Sequence, residues 1–130
     1  MDKHLVFVYG TLRREASRPM LLQFPGSRFV TDATVSGSLY DLGPYPGLVV
    51  NESNSLVKGE VYEVDEELLN ELDQFEASSD YLRKRVEILI GSEKKEGWTY
   101  EPSSESYSLN RLIPSGDWIA YTRSVQNRKR

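Results

Sequence analysis

The chain has 130 residues, of which 28% are charged and 38% hydrophobic. That is the length and composition of one ordinary globular domain, able to bury about 65–70% of its unfolded surface without a disulfide or a metal. Cysteine is absent and the net charge is −4. These exclude disulfides, thiolate metal sites and a cysteine nucleophile, and they lack the basic surplus of a nucleic-acid binder.

The absence of cysteine fits a reducing cytoplasm. The apolar run in MDKHLVFVYG is too short for a signal peptide or a membrane span, and no other run approaches membrane length. A cytoplasmic location without membrane contact is therefore expected. The basic cluster Arg128-Lys129-Arg130 reads as a solvated terminus. With no repeat, low-complexity tract or linker, residues 1–130 read as a single domain with a flexible tail from about residue 124. Nothing in the sequence sets an oligomeric state.

In chain order, His4–Tyr9 (HLVFVY) is short, apolar and rich in β-branched and aromatic residues, the composition of a buried strand bounded by Gly10. Arg14–Phe24 has room for a short helix that buries Met20, Leu21, Leu22 and Phe24 before Pro25-Gly26 ends it. Thr31–Leu42 alternates as a strand, with Val35, Gly37, Leu39 and Asp41 on one face. Gly43–Gly47 forms a turn or loop, Leu48–Asn51 a short strand, and Asn51–Ser55 a polar turn. Leu56–Val64 is a further strand with Gly59 at a bulge or close approach.

The clearest helix follows. Asp65 is a plausible N-cap, Glu66 and Glu67 complement the dipole, and Leu68, Leu69, Leu72 and Phe75 form one apolar stripe. The helix is expected to end near Glu76. Tyr81–Ile90 reads as a strand with Leu82, Lys84, Val86, Ile88 and Ile90 on one face. Gly91–Glu96 reads as a charged hairpin turn, Gly97–Glu101 as the returning strand, and Pro102–Leu109 as a Ser-rich loop or flap. A short helix through Arg123 closes the chain. Short strands, tight turns and one good helix suggest an α+β domain: a small mixed or antiparallel barrel with one main helix and one or two short helices outside.

Tyr9-Gly10-Thr11-Leu12 follows the first strand. Glycine there opens a backbone conformation closed to other residues, and successive N–H groups in such a turn can form a concave anion site for a carboxylate. The same residues also suit an ordinary strand-ending turn with Tyr9 in the core.

The segments VYGTLR, GSLYDLGPYPGLV, VKGEVYEVD, LDQFEASSDYLRKRVEI and PSGDW, in this order and spacing, resemble the γ-glutamylcyclotransferase-like family. That family includes γ-glutamylamine cyclotransferases and the plant avirulence-induced-gene proteins. The resemblance covers most of residues 5–118. It implies a compact barrel with helices outside and a cavity between the glycine loop and a glutamate at the end of the main helix. It further implies that the backbone of Tyr9, Gly10, Thr11 and Leu12 holds the substrate's α-carboxylate, that Glu76 transfers protons, and that Tyr100 lines the cavity. The reaction it implies converts a γ-glutamyl amine or amino acid to 5-oxoproline and a free amine, with no metal or cofactor.

An unperturbed glutamate is a poor base. A helix C-terminus and burial would both raise its pKa toward a useful range. Two other readings remain: a non-catalytic binding or stress-associated module with the same cavity, and a hydrolase in which Glu76 activates water. The segment Arg14-Glu15-Ala16-Ser17, where relatives often carry a glycine, leaves substrate choice open.

Other residues read more simply. His4 is structural or solvent-facing. Asp73 and Glu76 are i, i+3 carboxylates of a common kind, though a two-carboxylate glycosidase site has that composition. Ser115-Gly116 is not a nucleophile elbow. Trp118 packs on the barrel, and Tyr45-Pro46-Gly47 suits either a cavity rim or a plain turn.

Overall fold

A computed structural model describes residues 3–51, 54–103 and 111–128, with side chains to residue 125. Six strands, β1 (Lys3–Val8), β2 (Arg28–Asp41), β3 (Pro46–Val50), β4 (Leu56–Asp65), β5 (Tyr81–Ile90) and β6 (Glu93–Pro102), share one sheet in the order β3-β2-β4-β1-β6-β5. A further pairing, Thr34 of β2 with Leu89 of β5, closes β2, β4, β1, β6 and β5 into a five-stranded barrel from which β3 extends beside β2. The β1–β6 pairing is parallel and the others are antiparallel, so the barrel is mixed. The helices are α1 (Met20–Gln23), α2 (Glu66–Ala77) and α3 (Trp118–Arg128). No described helix is long and apolar enough to cross a membrane.

Strand β1 explains its own apolar run, because both of its faces are covered. Phe7 and Tyr9 point into the barrel with Val35, Leu39, Leu48, Val57, Val86 and Ile88. Val6 and Val8 point outward beneath α2, against Leu68, Leu69 and Leu72. A strand buried on both faces loses polar alternation and reads as continuous hydrophobicity.

Helix α2 forms as its sequence directs. The Asp65 carboxylate accepts the Leu68 N–H at 2.8 Å, Glu66 and Glu67 fill the first turn, and the three leucines are buried. Each buried leucine contributes about 1.5–3 kcal/mol. At the other end the Ser78 hydroxyl donates to Phe75 O at 2.7 Å. Asp80, at φ 63°, turns the chain into β5.

Several sequence expectations need correction. Leu21 and Leu22 are exposed, because α1 has only four residues and turns Met20 alone inward. The hairpin turn after β5 is Gly91-Ser92 only, and Glu93–Glu96 belong to β6, where four exposed charged residues suit a solvent-facing ladder. On β5, Val86 and Ile88 face the barrel, but Leu82 and Lys84 are exposed and the opposite-phase Tyr81 is buried under α2. Helix α3 continues to Arg128, so much of the segment expected as a tail from residue 124 is helical. Within the Ser-rich loop, residues 104–110 lie outside the described residues, as do residues 52–53 of the polar turn and residues 129–130 of the basic terminus.

Candidate active site

A cavity of about 490 Å³ opens at the end of the barrel where β1 leaves it. Gly10, Thr11 and Leu12 form one wall. Phe75 and Glu76, from the last turn of α2, form another. The Pro44–Pro46 segment, Tyr81, Tyr100 and Arg18 contribute to the remainder. The structure thus brings Tyr9, Gly10, Thr11, Leu12, Glu76 and Tyr100 to one hollow.

The loop after Tyr9 is held by its carbonyls. Gly10 O accepts the Arg13 N–H at 3.0 Å, Thr11 O the Arg18 N–H at 2.8 Å, and Leu12 O the Met20 N–H at 2.8 Å. The N–H groups of Gly10, Thr11 and Leu12 donate to no acceptor among the described residues. A loop with spent carbonyls and spare amides is an anion cradle in chemical terms. Gly10 does not take a left-handed conformation, contrary to the sequence expectation. Close approach is what requires glycine here: a Cβ would lie 2.7 Å from Pro46 Cγ and 2.8 Å from Pro46 Cδ.

Glu76 is half-buried, and no hydrogen bond or ion pair to its carboxylate is present among the described residues. Its pKa is raised from 4.5 to about 7, and the cause is desolvation by the surrounding walls. A carboxyl group poised near neutrality can take a proton and return it.

The three tyrosines serve mainly to fix the walls. The Tyr9 hydroxyl donates to Tyr100 O at 2.6 Å and accepts the Leu48 N–H at 3.1 Å, tying the ends of β1, β6 and β3 together. The Tyr81 hydroxyl donates to Pro46 O at 2.5 Å and its ring packs edge-on against Tyr45. The Tyr100 hydroxyl donates to Asp73 Oδ1 at 2.7 Å. Burial holds all three phenols well above their ordinary pKa, so they remain protonated donors. Tyr100 lines the cavity, but its hydroxyl proton is committed to Asp73. That bond gives Asp73 a structural partner.

Sequence reasoning missed a buried ionic clamp behind the cradle. Glu60, 3% exposed, accepts Arg13 Nε at 2.8 Å on Oε2 and the Arg14 backbone N–H at 2.9 Å on Oε1. Arg13 Nη1 also donates to Asp117 Oδ1 at 2.9 Å. Burial pushes the Asp117 carboxyl up, but the Ala120 N–H and Arg13 outweigh it and leave its pKa low. Three of the segments behind the family resemblance, VYGTLR, VKGEVYEVD and PSGDW, meet in this clamp. The signal available beforehand was the glutamate at an interior position of an apolar strand, where a charge needs a partner.

No group of three or more His, Cys, Asp or Glu side chains able to hold a metal occurs among the described residues. The arrangement can bind a carboxylate by backbone amides and shuttle a proton beside it.

A five-stranded mixed barrel with this cavity at its end defines a cyclotransferase-like fold. The chain belongs to the family described as gamma-glutamyl cyclotransferase, AIG2-like, which it matches over residues 6–120. A Vibrio cholerae protein, provisionally named as a gamma-glutamylcyclotransferase, is 43% identical over 117 residues, which cover 89% of this chain and 96% of that protein. A Niallia circulans protein named gamma-L-glutamyl-butirosin B gamma-glutamyl cyclotransferase is 34% identical, over 89% of this chain and 76% of its own length. Among solved structures, Bacillus subtilis YkqA superposes with a TM-score of 0.76 at 30% identity, covering 97% of this chain and 43% of that one.

Proposed function

We propose that this protein is a γ-glutamyl cyclotransferase that converts a γ-glutamyl amine or amino acid to 5-oxoproline and a free amine. The observation that carries the reading is the shared cavity: a carboxyl group with a pKa of about 7 stands in the same hollow as the spare N–H groups of Gly10, Thr11 and Leu12.

In this reading the cradle amides bind the α-carboxylate of the glutamyl half. The free α-amine then attacks the γ-amide carbonyl of the same molecule, and a C–N bond closes the five-membered ring. Glu76 accepts the proton that the attacking nitrogen sheds and delivers one to the departing nitrogen as the original amide bond breaks. Atoms balance without water, metal or redox partner. Holding amine and carbonyl in contact supplies up to about 7–11 kcal/mol of the barrier. A spare amide facing the developing oxyanion adds about 3–4 kcal/mol. The acidic chain without cysteine suits action in the cytoplasm on a small ligand.

The test is incubation with a panel of γ-glutamyl compounds and chromatography for 5-oxoproline. Its release, and its loss in Glu76→Gln, support the reading. Free glutamate in its place would move the reaction to hydrolysis, and an intact panel would leave a binding module.

A further inference from the structure

Arg18 lines the same cavity as Glu76 and is tied by its backbone to the cradle residue Thr11. Its backbone is fixed: its N–H donates to Thr11 O at 2.8 Å and Pro19 follows it. Its side chain is exposed and, among the described residues, is the only cationic one lining this cavity. Every other arginine with a described side chain is ion-paired: Arg13, Arg14, Arg28, Arg83, Arg85, Arg111 and Arg123 each have a carboxylate partner. Arg18 has none among the described residues.

We infer that Arg18 is a specificity-determining residue that pairs with an anionic group on the leaving half of the substrate. The inference rests on the cyclotransferase reading and follows from matching charges. The cradle amides answer the α-carboxylate of the glutamyl half. Glu76 answers the α-amine, whose proton it takes. Arg18 is then the remaining charge at the site, with no counterpart on the glutamyl half. A carboxylate on the departing amine supplies that counterpart, and the planar guanidinium can bind it through two parallel hydrogen bonds. Tyr45 and Phe75, on the same cavity, offer apolar surface to the rest of that half. A cationic leaving half meets repulsion at the same place.

The experiment compares γ-glutamylalanine, its C-terminal amide γ-glutamylalaninamide, and γ-glutamylethylenediamine, which carries a cation there. Each is tested with the wild type and with Arg18→Gln, Arg18→Lys and Arg18→Glu. The expected result is a rise of about tenfold in KM for γ-glutamylalanine in Arg18→Gln, the size of one charge-assisted pair at a partly hydrated rim. The kcat should hold and the amide should be nearly unaffected. Arg18→Lys should recover part of the loss, and Arg18→Glu should shift preference toward the ethylenediamine compound. Melting temperatures should not move, because the side chain is exposed and has no ion pair among the described residues.

Equal losses on the acid and its amide would overturn the inference by assigning Arg18 to the glutamyl half. No change on either would overturn it as well. If the wild type turns over none of the three, the cyclotransferase reading fails separately. Calorimetric binding of the acid and amide to wild type and Arg18→Gln then decides this point alone. A loss of affinity confined to the acid supports the pairing, and equal affinities or no binding of either remove it.

Discussion

Arg13 Nε donates to Glu60 Oε2 at 2.8 Å, and that bond fastens the segment leaving the cradle to the middle of β4. The second oxygen of the same carboxylate takes the Arg14 N–H at 2.9 Å, so one buried side chain fixes two successive residues after Leu12. Glu60→Ala leaves the largely buried Arg13 without its inner partner, and breaking such a pair costs about 3–5 kcal/mol. Thermal or urea unfolding should show that loss. Glu60→Gln keeps an acceptor for the Arg14 N–H and should lose less stability, while raising the KM for a γ-glutamyl substrate more than it lowers kcat. Wild-type stability in Glu60→Ala would show that the clamp does not hold the loop.

The contact between Gly10 and Pro46 gives a second prediction. A Cβ on residue 10 would sit 2.7–2.8 Å from the proline ring. That ring is not free to retreat, since Pro46 O holds the Tyr81 hydroxyl and Pro46 begins β3. Gly10→Ala should cost about 1–3 kcal/mol through overpacking, and it should weaken ligand binding further by shifting the cradle. Pro46→Ala removes the two clashing atoms. The double variant Gly10→Ala/Pro46→Ala should therefore be more stable than the sum of the single changes predicts, and a double-mutant cycle reads that coupling. Additive losses would mean that the wall yields elsewhere.

How much of this was legible beforehand depended on the range of the interactions. Strand β1 and helix α2 were readable because their patterns are local: a strand covered on both faces, and a capped helix with one apolar stripe. The cavity was readable only through the order of several motifs, because Gly10 and Glu76 are brought together by barrel closure. Of the clamp, the sequence marked only that Glu60, inside an apolar strand, needed a partner, and not which residues supply it. Arg13 meets Glu60 across 47 positions and Asp117 across 104, and no local period records such a meeting. The exposure of Leu21 and Leu22 and the length of β6 were misread for the converse reason. Apolar residues beside a proline resemble a core helix, and a run of Lys and Glu resembles a turn. Arg18 carried no mark in the sequence, since an exposed arginine before a proline is ordinary until its neighbours are known.

The pH dependence of turnover should report Glu76. In the proposed reaction its carboxyl must be ionised to accept the proton of the attacking amine, and burial raises its pKa to about 7. The acid limb of kcat/KM should therefore fall tenfold per pH unit below an inflection near 7, well above an ordinary glutamate. Glu76→Gln cannot accept the proton and should lose about 10²–10⁴ in kcat, with a small change in ligand affinity. An inflection near 4.5 would mean that the carboxylate is solvated in solution. Retained turnover in Glu76→Gln would take the proton shuttle away from this residue.

The same shift makes Glu76 a stability cost, and its sign can be worked out. The folded-state pKa of about 7 lies above the unfolded value of 4.5, so between these limits the folded protein binds more protons than the unfolded chain. Stability then falls as pH rises through that window, and it levels off once the buried carboxylate is ionised in both states. The full shift corresponds to about 3 kcal/mol, and contact with water through the cavity mouth reduces it to about 1–3 kcal/mol. Glu76→Gln removes the titration while keeping the shape. The variant should match the wild type near pH 4.5 and exceed it by that amount at pH 8, even though it turns over little or nothing. Unfolding free energies of both proteins at the two pH values test this. A variant less stable than the wild type at pH 8 would show that the ionised carboxylate is held by favourable contacts, and the proposed general base would then have a lowered pKa in place of a raised one.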